Sequence, residues 1–169
     1  MDAAEVDVAI AGAGPSGLAL AIALARGGRR VLACDTRTAQ AVTADARALA
    51  LSHGSRVLLE SLDAWSGLDA TPIETIHVSQ HGGFGRTLIR ARELDVPALG
   101  YVVPAGALAA RLRETAEAAG VGLHHRCEVG AAEAGTQHIR VALHAPDDDR
   151  HDTCTARLLV RAEGAPDEA

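Results

Sequence analysis

The sequence predicts an α/β fold organised around one Rossmann-like βαβ unit near its amino terminus. Residues 6–11 form an apolar run typical of buried parallel strands, and a glycine-rich turn follows at residues 12–17. Residues 18–25 then carry apolar side chains at helical spacing, and a second apolar run ends at Asp35. A strand, a glycine turn, a helix, a strand and an acid in this order predict a dinucleotide site.

The three glycines of the turn have different predicted roles. Gly12 permits the tight turn after the strand, Gly14 lets a pyrophosphate approach the backbone, and Gly17 lets the helix pack closely on the strand. The N–H groups at the helix start, including that of Ser16, then face the phosphates at the positive end of the helix dipole. Asp35 lies at about the 20-residue offset expected for an acid that binds a ribose.

The same region contains an uncharged stretch, residues 8–25, whose length alone would suit a membrane span or a signal-peptide core. Three glycines and Pro15 interrupt its first half, and acidic residues precede it where a signal peptide would be basic. We therefore expect a cytoplasmic protein, and we identify no targeting segment.

The composition narrows the classes of function. The 169 residues suffice for one domain, whose core must be Ala, Val, Leu and Ile because there is one Trp, one Tyr and one Phe. A net charge of −6 offers no basic surface, so nucleic-acid partners are not expected. Three widely spaced cysteines suit a reducing compartment and argue against a disulfide framework.

After the βαβ unit, the pattern predicts a polar loop over residues 36–45, a helix capped by Ser52, and then short strands. The predicted apolar face of that helix is Leu58, Leu62 and Trp65. Residues 71–103 are predicted to form an inserted antiparallel element with a turn at residues 81–83. Its predicted strands are residues 73–79, 87–89 and 100–103. A nicotinamide-binding fold would continue with βα units here, so the insertion favours a flavin-type architecture.

The second half of the chain predicts one more helix, one more parallel strand and a β-meander. Pro104 can start a helix that Gly120 ends, and residues 121–123 form the third parallel strand. The predicted buried stripe of the helix is Leu108, Leu112, Ala116 and Ala119. The meander strands are predicted at residues 128–133, 138–143 and 156–160. The acidic run at residues 147–149 is predicted to be a solvated hairpin tip.

Metal and catalytic sites are not predicted. His124, His125 and Cys127 are close in sequence. Adjacent histidines on a strand point to opposite faces, however, and the nearest other thiol, Cys154, has no partner motif. Cys34 is predicted to be a small buried apolar residue of the second strand. No acid, base or nucleophile has the sequence context of a catalytic residue, so none is assigned.

Five segments together resemble one family of proteins. They are residues 8–17, 45–52, 71–79, 84–88 and 99–103. These segments resemble the FAD-dependent aromatic hydroxylases of the p-hydroxybenzoate hydroxylase type. The middle segments are most similar to the ubiquinone-biosynthesis branch, which includes the 2-polyprenyl-6-methoxyphenol hydroxylases. The resemblance implies a Rossmann-like FAD-binding fold with an inserted small antiparallel sheet and a β-meander.

The resemblance implies the FAD-binding portion of a monooxygenase that uses NAD(P)H and O2 to hydroxylate a polyprenyl phenol. The glycine turn would hold the pyrophosphate, Asp35 the adenosine ribose, and the backbone of Val129 the adenine. Arg47 would reach the cofactor from the loop after the second strand. The residues that the resemblance assigns to FAD are Gly12, Ala13, Gly14, Pro15, Ser16, Gly17, Asp35, Thr36, Arg47, Val129, Glu163 and Gly164. The cofactor would carry the chemistry, which agrees with the lack of an assigned catalytic group.

The chain also departs from this family. Gly106 stands where the family usually has an arginine that touches FAD, and Glu163-Gly164 stands where it has Asp-Gly. The family's later glycine-aspartate motif and its substrate region would lie beyond residue 169. We therefore expect residues 1–169 to be a truncated N-terminal FAD-binding portion that is inactive alone. Its expected partners are a missing C-terminal half or other ubiquinone-pathway proteins, at the inner membrane surface or in the cytoplasm.

Two other classes of function stay open at the level of sequence. The chain could be a stand-alone nucleotide-binding or regulatory module. It could also be an NAD-dependent dehydrogenase domain, because the glycine pattern and Asp35 suit NAD as well as FAD. The antiparallel insertion is the feature that favours FAD.

Overall fold

A βαβ unit opens the chain and strands predominate after Gly120, as predicted, whereas residues 39–43 of the predicted polar loop are helical. The computed structural model describes residues 4–79, 85–145 and 150–164. In these residues the strands are β1 Ala4–Ala11, β2 Val31–Asp35, β3 Ala48–Ser52, β4 Thr71–Ile73, β5 Thr75–Ser79, β6 Arg86–Arg90, β7 Gly100–Pro104, β8 Gly122–His125, β9 Glu128–Ala134, β10 Ile139–Ala145 and β11 Arg150–Arg161. The helices are α1 Pro15–Arg26, α2 Ala39–Thr43, α3 His53–Ser61 and α4 Ala105–Ala118, with a 3-10 turn at Ala91–Glu93.

The main sheet has six strands in the order β8, β2, β1, β11, β10, β9. The first four are parallel, whereas β10 and β9 continue the sheet in antiparallel fashion. The predicted third parallel strand and the predicted meander are therefore confirmed. β11 joins the two parts, because its Leu158 pairs with Val8 of β1 and its Ala156 pairs with Ile139 of β10.

Helices α1 and α4 cover one face of the parallel strands. The buried residues of this layer include Val8, Ile10, Leu18, Ala21, Ile22, Leu108, Leu112 and Ala116. Three residues of the predicted α4 stripe are thus buried, and Ala119 is half-buried. Pro15 starts α1, where its restricted φ suits the first helical position, and Gly28 follows the helix with φ +77°. The predicted start and end of α4 are confirmed, and α1 extends the predicted helical residues 18–25 to Pro15–Arg26.

The opposite face of β2 contributes to a second core. All five residues of β2 are buried, as expected for a strand covered on both faces. Alternation along the strand directs Leu32 and Cys34 away from the helices and toward the meander. The other buried residues of this second core are Ala11, Cys127, Val129, Val141, Leu143 and Cys154.

Residues 71–103 form antiparallel strands, as predicted, and these strands divide between two small sheets. β3, β7 and β4 form a three-stranded sheet, and β5 pairs with β6. β3 is a strand that is not predicted; it lies before the inserted region and alternates between half-buried and exposed residues. The three-stranded sheet packs through Val103 onto the helical core.

Ser52 caps α3 as predicted, because its hydroxyl accepts the N–H of Ser55 at 3.0 Å. The predicted apolar face of this helix is confirmed for Leu62, which is buried, and for Trp65, which packs against the core, but it is wrong for Leu58. The buried residue of α3 is Leu59, whereas Leu58 is 52% exposed. α3 ends at Ser61, so the helical spacing used in the prediction does not continue to the residues that follow.

Two predicted turns, at residues 81–83 and 147–149, lie outside the described residues. Arg150 of β11 pairs with Ala145 of β10, so the strands on either side of the second of these turns are antiparallel partners. Among the helices of the described residues, none is long and apolar enough to cross a membrane.

Candidate functional site

The glycine turn lies at the carboxyl ends of β1, β2 and β11. Gly12 N–H donates to the carbonyl of Cys34 at 2.7 Å, and Ala162 N–H donates to the carbonyl of Ala11 at 2.6 Å. Gly12 has a left-handed backbone with φ +100°, and an added Cβ would lie 2.5 Å from the carbonyl oxygen of Ala162. Both conformation and space therefore exclude a side chain at position 12.

Gly17 and Gly14 are glycine for different reasons. At Gly17 an added Cβ would lie 2.0 Å from the carbonyl oxygen of Gly12, so the close packing of α1 on the turn requires glycine. At Gly14 no described atom outside its chain neighbours lies within 4 Å of an added Cβ. Its backbone, φ −74°, is accessible to any residue. The packing of the described chain thus does not demand glycine at position 14, and the space beside its backbone is open.

The amino terminus of α1 faces this open space. The first intrahelical bond runs from Leu18 N–H to the carbonyl of Gly14 at 2.9 Å, so the N–H groups of Ser16 and Gly17 precede it. Pro15 has no N–H, and Gly14 provides no side-chain cap. Helix amides that precede the first turn, together with the positive end of the dipole, favour an anion at this position.

Asp35 is the buried acid of the site, with 5% of its surface exposed. Its Oδ2 accepts hydrogen bonds from the N–H of Ala13 at 3.1 Å and from Nη2 of Arg37 at 3.0 Å. Its Oδ1 accepts the N–H of Arg37 at 2.9 Å and Nε of Arg37 at 3.0 Å. Burial alone would raise the pKa of Asp35, but the hydrogen bonds from Arg37 and Ala13 outweigh burial and hold its pKa below the ordinary value.

Sequence reasoning missed Arg37. Its guanidinium forms a bidentate pair with Asp35, and this hydrogen-bonded pairing raises the pKa of Arg37. The sequence signal that could have found it is the Asp-x-Arg spacing of Asp35 and Arg37. A side chain two residues past the end of a strand can fold back onto the last residue of that strand. In a chain with 16 basic residues, that signal was too common to single out one arginine.

A cleft of about 160 Å³ connects the turn with Asp35. It is lined by Ala11, Gly12, Cys34, Asp35, Thr36, Arg37, Cys127, Val129 and Glu163. Five residues predicted to contact a cofactor, from four separate parts of the sequence, therefore share one cleft. Complete small-molecule pockets are usually about 300–1,000 Å³, so this cleft suits one part of an extended ligand.

Arg47 lies outside the residues that line the cleft. Its Nη2 is 2.6 Å from Oδ2 of Asp45, and its Nε donates to both oxygens of the same carboxylate. These bonds lower the pKa of Asp45 to about 2. The charges of this ion pair act on Arg37 in opposite directions, because Asp45 raises the pKa of Arg37 and Arg47 lowers it.

Gly106 is explained by packing at the start of α4. An added Cβ would lie 2.2 Å from the carbonyl oxygen of Thr43, and Gly106 N–H donates to the carbonyl of Asp45 at 3.0 Å. The segment between α2 and β3 therefore rests directly on the first turn of α4. The long side chain that the resemblance would place at position 106 has no room in this arrangement.

Glu163 and Gly164 follow the end of β11 beside the glycine turn. Glu163 lines the cleft, and its Oε2 accepts a hydrogen bond from Nη1 of Arg161 at 3.0 Å. Gly164 has φ +80°, a conformation that favours glycine. The glycine of the predicted pair thus has a backbone role, and the acid contributes negative charge to the cleft wall.

A cluster of sulfur and imidazole groups adjoins the same cleft. Donor atoms of Cys34, His124 and Cys127 all lie within 4.8 Å of one another. The partner of Cys127 is therefore Cys34 on β2, which corrects the sequence argument that considered only Cys154. Cys34 is buried as predicted, and a hydrogen bond shared with Cys127, together with burial, raises the pKa of its thiol.

The family comparison matches nearly the whole chain. The model of the FAD binding domain family matches residues 5–166. A curated relative, the uncharacterized protein slr1300 of Synechocystis sp., is 27% identical over 164 residues, which are 95% of this chain and 39% of the relative.

Solved flavoprotein structures share the fold. OxyS anhydrotetracycline hydroxylase from Streptomyces rimosus matches with a TM-score of 0.79 and 24% identity, over 95% of this chain and 32% of that chain. The flavin-dependent monooxygenase PieE, solved with FAD and substrate, matches with a TM-score of 0.75 and 22% identity, over 95% of this chain and 30% of that chain. The chain thus spans less than half the length of these relatives.

Proposed function

The chain belongs to the FAD binding domain family, and we propose that its cleft and glycine turn bind the ADP half of FAD. FAD is the cofactor of this family, and the fold is shared with flavin-dependent hydroxylases. We further propose that residues 1–169 correspond to the N-terminal FAD-binding portion of such proteins. Residues 71–103 would be the inserted antiparallel element of that portion.

The observation that carries the proposal is the difference among the three glycines. Gly12 and Gly17 are required by contacts inside the protein, whereas the space beside Gly14 is open and faces the start of α1. A pyrophosphate placed there would meet backbone N–H groups and the positive helix dipole without a steric barrier. The residues present therefore fit an ADP group.

The cleft provides the remaining contacts. Asp35 and Thr36 would bind the adenosine ribose, and the backbone of Val129 would face the adenine. A carboxylate offers about four acceptor positions, and those of Asp35 already accept one bond from Ala13 and three from Arg37. A ribose hydroxyl that donates to Asp35 would therefore replace a bond from Arg37, whose side chain is 47% exposed and can turn toward solvent. Arg47 would act on the cofactor from outside the residues that line the cleft.

When bound, FAD supplies the redox chemistry, and residues of this chain bind and orient its ADP half. We propose that the longer protein is an NAD(P)H- and O2-dependent monooxygenase that hydroxylates a polyprenyl phenol in ubiquinone biosynthesis. The support is the resemblance of residues 45–52 and 71–79 to that branch. Hydroxylation would require the regions that longer relatives add, either in the same protein or from a partner.

We also propose a cytoplasmic location, with association at the inner membrane surface when the polyprenyl substrate is bound. All three cysteines are free thiols in the described structure, which suits a reducing compartment. A polyprenyl phenol partitions into the bilayer, so its hydroxylase must reach the membrane surface.

The test is the substitution Gly14→Ala, with FAD affinity measured by calorimetry or flavin fluorescence. The added methyl would occupy the pyrophosphate position, so we expect FAD binding to weaken by about tenfold, the equivalent of 1.4 kcal/mol. The free energy of unfolding should change by less than about 0.5 kcal/mol, because the position is sterically open. Equal FAD affinity in both proteins would contradict the assignment. Tighter binding of NADH than of FAD would instead favour a nicotinamide site.

A further inference from the structure

The cluster of Cys34, His124 and Cys127 has the composition of a metal centre. Each residue offers one donor atom, and the three atoms lie within 4.8 Å of one another. Both cysteines are buried free thiols, whereas His124 is exposed. Two thiols and one imidazole are among the donor sets that bind Zn²⁺ in proteins.

The main sheet brings two of these ligands together. β2 and β8 are parallel neighbours, and Cys34 is the register partner of His124. Paired residues of adjacent strands have side chains on the same face, so the thiol and the imidazole share one side of the sheet. His125 is the partner of Asp35 and belongs to the opposite face.

A backbone turn then returns Cys127 to the same place. Arg126 adopts φ 54°, a left-handed conformation that is uncommon for a residue with a side chain. The turn is held by two backbone hydrogen bonds, from Arg126 N–H to the carbonyl of Arg37 at 3.3 Å and from Cys127 N–H to the carbonyl of Asp35 at 3.0 Å. Strained backbone of this kind clusters at ligand sites because the surrounding structure must hold it. The three side chains are thus arranged before any ligand binds.

We propose that Cys34, His124 and Cys127 bind one Zn²⁺ ion through two thiolates and one imidazole. Zn–S distances of about 2.3 Å in a tetrahedron place two sulfurs about 3.8 Å apart, and the donor atoms here lie within 4.8 Å of one another. Binding displaces one proton from each thiol, and the two thiolates neutralise the charge of the ion in a buried place. A water molecule can take the fourth position.

This inference rests on the three side chains and not on any contact with FAD, although Cys34 and Cys127 line the cleft that we propose for the cofactor. The cleft gives an ion access to the thiols from solvent. Bound metal would connect β2, β8 and the turn before β9, so it should stabilise the folded chain without any flavin present.

The first experiment uses the reduced full chain, free of flavin, titrated with Co²⁺ and then with Zn²⁺. We expect one equivalent of Co²⁺ to give a thiolate charge-transfer band and the visible bands of a tetrahedral site, and Zn²⁺ to remove both. The thermal unfolding midpoint should rise with Zn²⁺. Octahedral Co²⁺ spectra, or no charge-transfer band in a protein whose thiols are titratable and reduced, would overturn the proposal.

The second experiment uses matched variants and a chromophoric chelator to measure Zn²⁺ affinity. Cys34→Ser and Cys127→Ser should each weaken binding by roughly 100-fold or more, since losing a group that only hydrogen-bonds to a metal ligand already costs about 10–100-fold. The control for the cysteine variants is Cys154→Ser, which changes a buried thiol outside the cluster. The control for His124→Gln is His125→Gln, which changes a histidine outside the cluster. Circular dichroism identifies variants that do not fold. If a cysteine variant does not fold, the cobalt spectrum of the unsubstituted chain tests whether the site exists. Equal affinity in Cys127→Ser and Cys154→Ser would refute the site.

Discussion

The glycine turn and the β5–β6 sheet differ in how tightly packing inside the chain fixes their structure. In the turn, Gly12 and Gly17 are required by backbone atoms that lie within 3 Å of any added side chain. In the β5–β6 sheet, large apolar residues are exposed, including Val78 at 55% and Leu88 at 40%. The turn is therefore specified by packing inside the chain, whereas the small sheet is specified mainly by backbone pairing. Substitutions should be costly in the first region and nearly neutral in the second.

The largest effect is expected for Gly17→Ala. The added methyl would overlap the carbonyl oxygen of Gly12, and neither backbone segment can move without disturbing β1 or α1. We expect a loss of about 3 kcal/mol in the free energy of unfolding, measured by urea denaturation. The control is Gly54→Ala in α3, where an added Cβ meets only Ser52 Oγ at 3.8 Å. A loss below about 1 kcal/mol in Gly17→Ala would show that the turn is not closely packed.

The next effect is expected for Asp35→Asn. The amide nitrogen cannot accept the bonds that one carboxylate oxygen now accepts, and the half-exposed Arg37 can recover part of its solvation. We expect a loss of about 2 kcal/mol at neutral pH, from the same denaturation experiment. Asp63→Asn is the control, because its ion pair with Arg26 is exposed and should contribute less than about 0.5 kcal/mol. Equal effects at both positions would contradict a structural role of the buried acid.

Acid pH should reduce the effect of the same substitution. Because the folded-state pKa of Asp35 is lowered, its contribution to stability is present above the unfolded-state pKa of about 3.9 and is lost as pH falls through the folded value. The difference in stability between the two proteins should therefore shrink below about pH 4. Urea denaturation at pH 6 and at several values below pH 4 measures this difference. A gap that widens in acid would mean that the pKa is raised in the folded state.

The smallest effect is expected for Val78→Thr in β5. A hydroxyl at this exposed position meets water, so the free energy of unfolding should change by less than about 0.5 kcal/mol. Val103→Thr, the same substitution at a fully buried position of β7, should cost about 1–3 kcal/mol. Similar losses in the free energy of unfolding at the two positions would show that β5 is covered in solution. The β5–β6 sheet and the glycine turn would then differ less in how tightly they are packed.

Much of the candidate site could be predicted because its signals are local. The spacing of the glycines in residues 12–17 and the acid at the end of β2 depend on a single βαβ unit. Arg37 was missed because its importance comes from a contact with Asp35, not from a pattern. Leu58 was wrongly assigned to the apolar face of α3 because the helix ends at Ser61, so Leu62 and Trp65 reach the core from the residues that follow it.

The sequence alone determined the first βαβ unit, the glycine turn and the acid that faces it, because periodicity and turn chemistry act over a few residues. Only the tertiary structure decided that β11 inserts beside β1 and that Val129 and Glu163 reach the cleft of Asp35. It also decided that Cys34 meets His124 and Cys127. These contacts depend on strand register and on one left-handed residue, Arg126. Such choices are set by the packing of distant segments, which no local pattern encodes.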